Sequence, residues 1–403
     1  PHLSNNKIAL VHNGIIENHG QLRKQLSVEG YVFISQTDTE TIVHLIHSIM
    51  AQGNDLFSAV KIVVTKLKGA FGLAVIDIDE PEKVLCTRSG SPLVLGLGIG
   101  ENFLASDQLA LRQVTDRFIY LEEGDFAVLT PDNYEIYNIE GQPVERAVVQ
   151  LTDKTMSAEK GSYRHFMLKE IFEQPEVIKN TLQGRISKDK ILEQAFGTQA
   201  SAIFDKTKAV QIIACGTSYH SGMVAKYLIE GIAGVPCRVE VASEFRYRKF
   251  VVQKDTLIVT ISQSGETADT LAALRLAKTL GYAATMTICN VAQSSLVSES
   301  ELTLMTEAGP EIGVASTKAF TTQLTGFLML TLAIGQHNDM RQTDHDDIVK
   351  ALHSLPAKLE ETLTLTSDIQ ELAKEFADTH HSLFSGRGDQ YPISMEVSLK
   401  LKE

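Results

Sequence analysis

The chain has 403 residues, enough for two or three domains whose cores need no disulfide or metal to be stable. Its 50 acidic residues outnumber its 37 basic ones, and the net charge of −13 argues against a nucleic-acid backbone or an anionic membrane surface as a partner. The four cysteines lack paired spacing and no apolar run is long enough for a membrane span, so we expect a cytoplasmic protein without disulfides, zinc or membrane helices.

Residues 1–154 are dominated by short alternating or apolar runs, separated by Gly, Pro and acidic turns, and such runs are typical of strands. Two helices interrupt them. A capping box at Thr37 and Glu40 predicts one over 38–52, and a second follows near 54–68. We therefore predict a mixed, mainly antiparallel α+β domain.

Candidate chemistry in this domain follows the apolar run IALV, which leads through His12 into Asn13 and Gly14. The Asn13 amide and the Gly14 N–H could form a pair of donors aimed at a developing oxyanion, since glycine lets a substrate approach closely. As a bare dipeptide, Asn-Gly is more often a β-turn, and both interpretations stay open. Asp38 could bind an ammonium group, or it could simply favour the start of its helix.

The stretch 151–165 is polar and aperiodic and is interpreted as an inter-domain connection, followed by helical spacing from residue 166. We assign 155–200 to linker and helices. From residue 209 onward strands alternate with helices, which predicts an α/β domain with a parallel sheet over 201–345.

Two strand–turn–helix units of this region carry hydroxyl-rich turns. Strand 209–214 runs into Cys215–Ser218, and strand 256–261 runs into Ser262–Thr267 ahead of a helix. Helix starts offer unpaired N–H groups and a partial positive charge, and the turns of neighbouring parallel strands meet at one edge of a sheet. We therefore predict that both turns line one phosphate site, although ordinary capped turns use the same residue types.

A third polar turn, residues 307–317, precedes an apolar helix and could join that site through Ser316. The chain has no Walker-type glycine-rich loop, which favours a smaller phosphate ester over a nucleoside triphosphate. The glycines of 96–100 lie outside any βαβ unit, and the acidic cluster of 337–347 is typical of a capped, solvated helix start. We therefore expect neither a dinucleotide nor a metal.

The last part of the chain repeats an earlier pattern. Residues 346–372 have helical spacing and are expected to form a connection. Residues 382–403 then indicate a strand, a turn at Gly386 and Gly388, and a helix, as in the first α/β unit. A lone unit of this kind cannot bury both faces of a sheet, so we expect 373–403 to be the incomplete start of a second α/β domain.

Motifs along nearly the whole chain resemble a known family. The first domain carries VHNGIIEN, TDTE, LKGAFGLAVID, RSGSPLVLGLG and ENFLASD, which are similar to motifs of the N-terminal-nucleophile glutamine amidotransferases. The rest carries ACGTSYHSG, ASEFRYR, SQSGETADTL, GVASTKAFTTQ and GRGDQYP, which resemble the sugar isomerase (SIS) domains of the glutamine–fructose-6-phosphate aminotransferases. The motifs occur in the order found in that family.

The resemblance implies an enzyme that converts glutamine and fructose 6-phosphate to glutamate and glucosamine 6-phosphate, the first step of hexosamine synthesis. It implies that Asn13 and Gly14 hold the oxyanion of glutamine hydrolysis, and that Asp38 and His12 belong to the glutamine site, with Asp38 binding the α-amino group. No cofactor is implied, and the expected assembly is a homodimer joined through the SIS domains.

For the sugar half, the resemblance implies a pocket built from the hydroxyl-rich turns and the third polar turn. Its residues would be Cys215, Gly216, Thr217, Ser218, Ser262, Gln263, Ser264, Thr267, Val314 and Ser316. Glu403 matches a carboxylate that moves a proton between C1 and C2 of the sugar, and Lys400 matches an assisting ammonium. Their i, i+3 spacing puts both on one helix face.

These 403 residues depart from the family pattern in several places. They show no N-terminal cysteine nucleophile, no arginine segment for the glutamine carboxylate, and neither the ring-opening histidine nor the Schiff-base lysine; Val397 stands where the family usually has glycine. We therefore expect this stretch by itself to turn over neither substrate.

Two other functions fit part of the sequence. A non-catalytic phosphosugar-binding regulator would need the SIS fold alone, and the glutaminase-like first 150 residues argue against it. A phosphoribosyl-transferring amidotransferase would need an acidic signature for a diphosphate-bearing ribose, which the sequence does not show.

Overall fold

The computed structural model describes residues 1–150, 160–249 and 251–403. The chain forms two compact units, Pro1–Thr155 and Met156–Glu403. Part of the predicted inter-domain connection, residues 151–159, lies outside the described residues. In the stretches that are described, no helix is both long and apolar enough to cross a bilayer.

The first unit is built on antiparallel sheets, as its alternating runs predict. Its strands are β1 (His2–Ser4), β2 (Ile8–Ile16), β3 (Gly69–Asp77), β4 (Val84–Ser89), β5 (Val94–Leu97), β6 (Asn102–Ala105), β7 (Arg117–Tyr120), β8 (Phe126–Leu129), β9 (Tyr134–Tyr137) and β10 (Val148–Gln150). One sheet has the order β1-β2-β3-β4-β8-β9 and the other the order β10-β7-β5-β6. All neighbouring strands in both sheets run antiparallel.

Helices cover one face of the six-stranded sheet, and the four-stranded sheet covers the other. The helices are α1 (His19–Val28), α2 (Asp38–Met50) and α3 (Leu56–Val64), with a 3₁₀ turn at Gln108–Ala110. Neighbouring side chains of a strand point to opposite faces, so Leu85 of β4 packs with the helices and Cys86 packs between the sheets. Phe126 and Ala127 of β8 divide in the same way.

The helix predicted at 38–52 forms, but only half of its capping box does. Thr37 Oγ1 accepts the N–H of Glu40 at 3.3 Å. The buried Glu40 carboxylate does not return to the cap and instead accepts the N–H groups of Ile34 at 2.7 Å and Ser35 at 2.8 Å. Glu40 therefore fixes the loop that leads into α2.

Histidines that are buried or partly buried are expected to make the first unit sensitive to acid. Burial lowers the pKa values of His12, His44 and His47 below the ordinary value of 6.5. The unfolded chain therefore takes up protons on these rings at a higher pH than the folded unit does. Their contribution to stability is present above about pH 6.5 and is lost as the pH falls through the lowered pKa values.

We expect the first unit to unfold at a lower urea concentration at about pH 5.5 than at about pH 7.5. Far-UV circular dichroism during urea titration measures the two midpoints. His44→Gln should reduce the difference, because this ring is buried, whereas His380→Gln at an exposed position should leave it unchanged. Equal midpoints at both pH values would contradict the buried, uncharged state of the rings.

The second unit is built on a parallel sheet. Its strands are β11 (Ala209–Ala214), β12 (Cys237–Val241), β13 (Thr256–Ser262), β14 (Ala284–Cys289) and β15 (Leu302–Met305). They pair in the order β12-β11-β13-β14-β15, so the direction of winding changes between β11 and β13. The predicted strands 209–214 and 256–261 are confirmed, the second with one further residue.

Helices cover both faces of this sheet. They are α4 (Phe166–Leu182), α5 (Ala200–Lys206), α6 (Gly216–Leu228), α7 (Ala242–Tyr247), α8 (Ala268–Thr279), α9 (Ser295–Glu299), α10 (Lys318–Gln336), α11 (Gln342–Leu363), α12 (Thr366–Glu375) and α13 (Gln390–Lys402), with a 3₁₀ turn at Glu193–Phe196. Along β13, Val259 packs into the core that holds α6 and α10, and its neighbour Ile258 packs against α7 and α8.

The first hydroxyl-rich segment is helical rather than a turn, which corrects the prediction. α6 begins at Gly216 with Cys215 as its N-cap residue, so Thr217 and Ser218 lie in the first helical turn. Glycine and hydroxyl residues resemble a turn in sequence, but helix starts tolerate them because their first N–H groups need no intrahelical partner. A π-helical turn, Ile229–Ala233, extends the helix.

The strand predicted at the start of 382–403 does not form. Residues 379–387 have no regular secondary structure, and Leu383 is 95% exposed. A strand is stable only when a neighbour pairs its N–H and C=O groups, and no described residue does so for this segment. The connection expected over 346–372 consists of α11 and most of α12, and the helix expected at the end is α13.

Candidate functional site

The two hydroxyl-rich segments come together at the carboxyl edge of the parallel sheet. Cys215–Ser218 follows β11 and Ser262–Thr267 follows the end of β13, and these strands are hydrogen-bonded neighbours. The Thr270 hydroxyl of α8 lies 4.0 Å from the Cys215 sulfur and links the two segments. In a doubly wound sheet, the crevice at the strands where winding changes direction is the usual place for a ligand.

Hydroxyls organise the turn that follows β13. Ser262 is buried; its Oγ accepts the Gly265 N–H at 3.0 Å and lies 2.9 Å from the Thr267 hydroxyl. Ser264 Oγ accepts the Glu266 N–H at 3.2 Å. The Ser264 and Thr267 side chains are only half-buried, so they can still meet a ligand, whereas Ser262 mainly shapes the turn.

This turn also packs closely against the segment that leads into α9. Gly265 has a φ of +71°, and a Cβ at this position would lie 2.0 Å from Ser294 Oγ, so only glycine fits. The Glu266 carboxylate accepts the Ser295 N–H at 2.7 Å. The turn is therefore held in one shape before any ligand arrives, which lowers the entropy cost of binding.

The first turn of α6 presents a second set of polar groups. Ser218 is buried, and its Oγ accepts a hydrogen bond from Gln323 Nε2 of α10 at 3.0 Å. The Gln323 carbonyl in turn accepts from the Ser221 hydroxyl at 3.0 Å. Gln323 thus fixes the orientation of Ser218, while Gly216 is exposed and lets a ligand approach the backbone.

The third polar turn, residues 307–317, is held from the sheet side by Asn290, which follows β14. Asn290 Oδ1 accepts from the Thr306 hydroxyl at 3.0 Å and from the Ala308 N–H at 2.7 Å, and its amide donates to the Gly309 carbonyl at 2.7 Å. Asn290 is not among the residues predicted for the site, because a lone Asn after a strand carries no distinguishing pattern.

The same turn is held from the other side by Glu170 of α4. Its buried Oε1 accepts the N–H groups of Ile312 at 2.6 Å and Gly313 at 2.9 Å. The next residue, Val314, is 91% exposed, and Ser316 is half-buried. Glu170 therefore shapes the part of the turn that displays the two predicted sugar-contacting residues.

Helix α13 brings a charged cluster to the first turn of α6. Lys400 Nζ donates to Thr217 Oγ1 at 3.1 Å and lies 3.0 Å from Glu403 Oε2. Glu396, which is not among the residues predicted for the site, accepts the Thr217 hydroxyl proton at 2.9 Å. Its spacing of four residues from Lys400 places both on one helix face and was the available signal.

In the first unit, Asn13 and Gly14 lie inside β2. The sequence predicted them either just after the end of a strand or in a β-turn, and both predicted positions are wrong. β2 continues to Ile16, and Gly14 stands opposite Phe71 of β3. The alternating pattern ends at these polar residues, but backbone pairing with β3 carries the strand further. Both side-chain positions are exposed.

The other two predicted glutamine-site residues lie together beside β2. Asp38 Oδ2 accepts the Ile16 N–H at 2.8 Å. His12 Nδ1 lies 3.7 Å from Asp38 Oδ1 and 3.2 Å from the Thr39 hydroxyl. The carboxylate is partly exposed, so it retains room for an ammonium group. Asp38 thus has the local role of joining α2 to β2, and its carboxylate stays partly open to solvent.

The described part of the chain offers no group of three or more His, Cys, Asp or Glu side chains that could hold a metal ion. The four cysteines are free thiols. Burial raises the pKa of the Cys86 thiol to about 12, and it also raises the pKa values of Cys237 and Cys289. These three thiols are therefore poor nucleophiles, since the thiolate is the reactive form.

Two family models match the chain. A glutamine amidotransferase domain matches residues 1–113, and a SIS domain matches residues 203–333. Both matches lie inside the structural units described above, the first in the antiparallel unit and the second around the parallel sheet.

Named relatives align with the full length of the chain. It is 60% identical to a glutamine–fructose-6-phosphate aminotransferase (isomerizing) of Pseudomonas putida and 55% identical to that of Aliivibrio fischeri. In both cases the match covers 100% of this chain and 66% of the relative, so the chain spans just under two-thirds of their length.

A solved structure is similar to the second part of the chain. It is the C-terminal domain of glucosamine-fructose-6-phosphate aminotransferase from Francisella tularensis, with 49% sequence identity and a TM-score of 0.60. The match covers 61% of this chain and 69% of that structure.

Proposed function

Because the chain belongs to the glutamine–fructose-6-phosphate aminotransferase family, we propose that its protein converts fructose 6-phosphate and glutamine to glucosamine 6-phosphate and glutamate. The nitrogen leaves the side-chain amide of glutamine as ammonia and ends on C2 of the sugar. One observation carries the sugar half of the proposal: Lys400 donates to Thr217, beside the hydroxyl-rich turn of β13, and also lies 3.0 Å from Glu403.

The phosphate of the sugar would bind at the turn after β13. Ser264 and Thr267 are partly exposed hydroxyls at the start of α8, where the helix dipole favours an anion. Ser262 and Gln263 complete the turn. Because the whole chain carries a net charge of −13, such local donors have to outweigh long-range repulsion of the phosphate.

The sugar carbons would lie toward α13 and the exposed tip of the third turn. Glu403 would move the proton between C1 and C2, and Lys400, 3.0 Å from this carboxylate, would assist that transfer. Val314 and Ser316 would contact the sugar from the loop that Glu170 holds.

For the glutamine half, we assign the first unit to the N-terminal-nucleophile type. Its layers of helices, one sheet and a second sheet fit that class, and the exposed Asn13 amide beside Gly14 fits an oxyanion site. The partly exposed edge of Asp38, with His12 beside it, fits the α-amino group of glutamine. We further propose a homodimer joined through the SIS domains.

The free thiols fit a reducing cytoplasm. The helix α13 would open a second SIS-type unit, since it follows the glycine-rich segment GRGDQYP of the family. A regulator that only binds phosphosugars is less favoured, because the chain matches a glutamine amidotransferase domain as well as a SIS domain.

A thermal-shift titration of the 403-residue chain tests the sugar half of this proposal. Fructose 6-phosphate at about 100 times its dissociation constant should stabilise the chain by about 2.7 kcal/mol, and phosphoribosyl pyrophosphate at the same concentration should have little effect. Ser264→Ala should weaken the response, and Ser187→Ala, in a separate loop, should not. Stabilisation by phosphoribosyl pyrophosphate alone would favour the phosphoribosyl branch of the amidotransferases instead.

A further inference from the structure

Glu396 is a buried carboxylate at the centre of the cluster that α13 forms with α6. Its side chain is only 5% exposed. Oε1 accepts the Thr217 hydroxyl proton at 2.9 Å and lies 3.3 Å from Lys400 Nζ, while Oε2 lies 2.7 Å from His220 Nδ1. One carboxylate thus joins two residues of the first turns of α6 to the lysine one turn further along α13.

The carboxylate is charged in this setting. Burial opposes its ionisation, but the hydrogen bond from His220, the ammonium of Lys400 and the hydroxyl of Thr217 outweigh burial and lower the pKa of Glu396. Since an ionised carboxylate only accepts hydrogen bonds, His220 must carry a proton on Nδ1. An ionised group with three donors has a fixed orientation.

The cluster has a consequence for Thr217. Its hydroxyl gives its proton to Glu396 and accepts one from Lys400 at 3.1 Å. A phosphate group at neutral pH mainly accepts hydrogen bonds, so Thr217 has no proton left for it while Glu396 is ionised. In this arrangement Thr217 orients Lys400 rather than contributing a donor to the phosphate.

We infer that Glu396 is a positioning residue: with His220 behind it and Thr217 beside it, Glu396 holds the Lys400 ammonium at the sugar end of the pocket. This role rests on the proposed function, in which Lys400 acts beside Glu403. The pocket then has a phosphate end at the turn after β13 and a sugar end where Glu396 positions Lys400. The two ends should respond differently to removal of this charge.

Binding measurements with two probes test the inference. Glu396→Gln preserves the size of the side chain and removes its charge, so the affinity for fructose 6-phosphate should fall about tenfold. The affinity for inorganic phosphate, which occupies only the phosphate end, should stay the same. Glu361→Gln, at an exposed position on α11, is the matched control and should change neither affinity.

A double-mutant cycle links the effect to Lys400. If Glu396 acts through this lysine, Lys400→Met should weaken binding of fructose 6-phosphate, and adding Glu396→Gln should weaken it little further. Additive losses would overturn the inference, as would equal binding by the wild type and Glu396→Gln. An equal loss of both probes would also overturn it, since that would indicate general damage to the pocket.

Failure of the proposed function gives a different binding result. A wild-type chain that binds inorganic phosphate but not fructose 6-phosphate contradicts the proposed substrate, and the positioning role for that substrate falls with it. The hydrogen-bond cluster is tested separately by nitrogen-15 NMR of the histidine rings. His220 should carry its proton on Nδ1 in the wild type and lose that preference in Glu396→Leu; a wild-type ring without an Nδ1 proton would overturn the inference.

Discussion

Replacing Glu170 by alanine is expected to lower the free energy of unfolding of the second unit by about 3 kcal/mol, because two N–H groups lose their acceptor. Glu170 is 2% exposed and accepts from Ile312 and Gly313 with the same oxygen. In the wild type, this oxygen is the acceptor of both N–H groups. The variant therefore has to open the turn to water or leave the groups unpaired.

The change should also weaken fructose 6-phosphate binding, by at least about tenfold, since the loop that carries Val314 and Ser316 has to be ordered again on binding. Hydrogen exchange provides a local measurement. The amides of Ile312 and Gly313 should exchange faster in Glu170→Ala than in the wild type, while amides of the central strand β13 should change only as far as global stability does.

Two further variants complete this experiment. Glu176→Ala lies on the same helix with its side chain 65% exposed, so its free energy of unfolding should stay within about 0.5 kcal/mol of the wild type. Glu170→Gln retains an acceptor oxygen without the charge and should fall between wild type and Glu170→Ala. If Glu170→Ala matches Glu176→Ala in stability and in exchange, the carboxylate does not hold the turn.

The central strands of the parallel sheet could be predicted from the sequence because each is a continuous apolar run with clear ends. β11 matches its predicted bounds, and β13 differs by one residue. Burial on both faces requires this composition, so the pattern is strong. The place of the site at the carboxyl edge then follows from topology alone, since parallel neighbours end at the same edge.

The contacts that shape the site could not be predicted in the same way. Glu396 and Thr217 are 179 positions apart, and Glu170 and Ile312 are 142 apart. Each Glu stands in a helix, where a solvated carboxylate is the ordinary case. Burial and partners depend on tertiary packing, which spacing along one helix does not reveal.

Two local errors have local causes. The helix α1 was not predicted, since it is mostly polar and buries only Leu22 and Leu26. The strand expected near residue 383 has strand-like composition, but pairing rather than composition decides whether a strand forms. The resemblance to a family supplied the roles proposed for single residues, and the structure shows which residues contact them.

Gly14→Ala is expected to destabilise the first unit by about 2–5 kcal/mol, combining backbone strain with overpacking. Gly14 has a φ of +143°, and a Cβ there would lie 2.0 Å from the Ala70 carbonyl oxygen and 2.9 Å from the Phe71 Cα. These are backbone atoms of the paired strand β3, so they cannot turn aside as a side chain could. Relief requires β2 and β3 to separate at the proposed glutamine site.

Gly53→Ala is the matched control for backbone strain, because Gly53 has a φ of +95° but open space around it. Gly53→Ala should lower the free energy of unfolding by about 1 kcal/mol, and Gly14→Ala should lower it clearly more. Urea unfolding followed by far-UV circular dichroism measures both. Equal losses for the two variants would contradict the close approach of β3 to Gly14.

The neighbouring residue separates fold from function. Asn13 is exposed, so Asn13→Ala should leave the free energy of unfolding within about 0.5 kcal/mol of the wild type. If Asn13 serves as an oxyanion donor, this stable variant should lose glutamine hydrolysis about 100-fold or more in a form of the protein that carries it out. If Asn13→Ala is stable and retains full hydrolysis, Asn13 is not an oxyanion donor. Gly14 would then be required only for the pairing of β2 with β3.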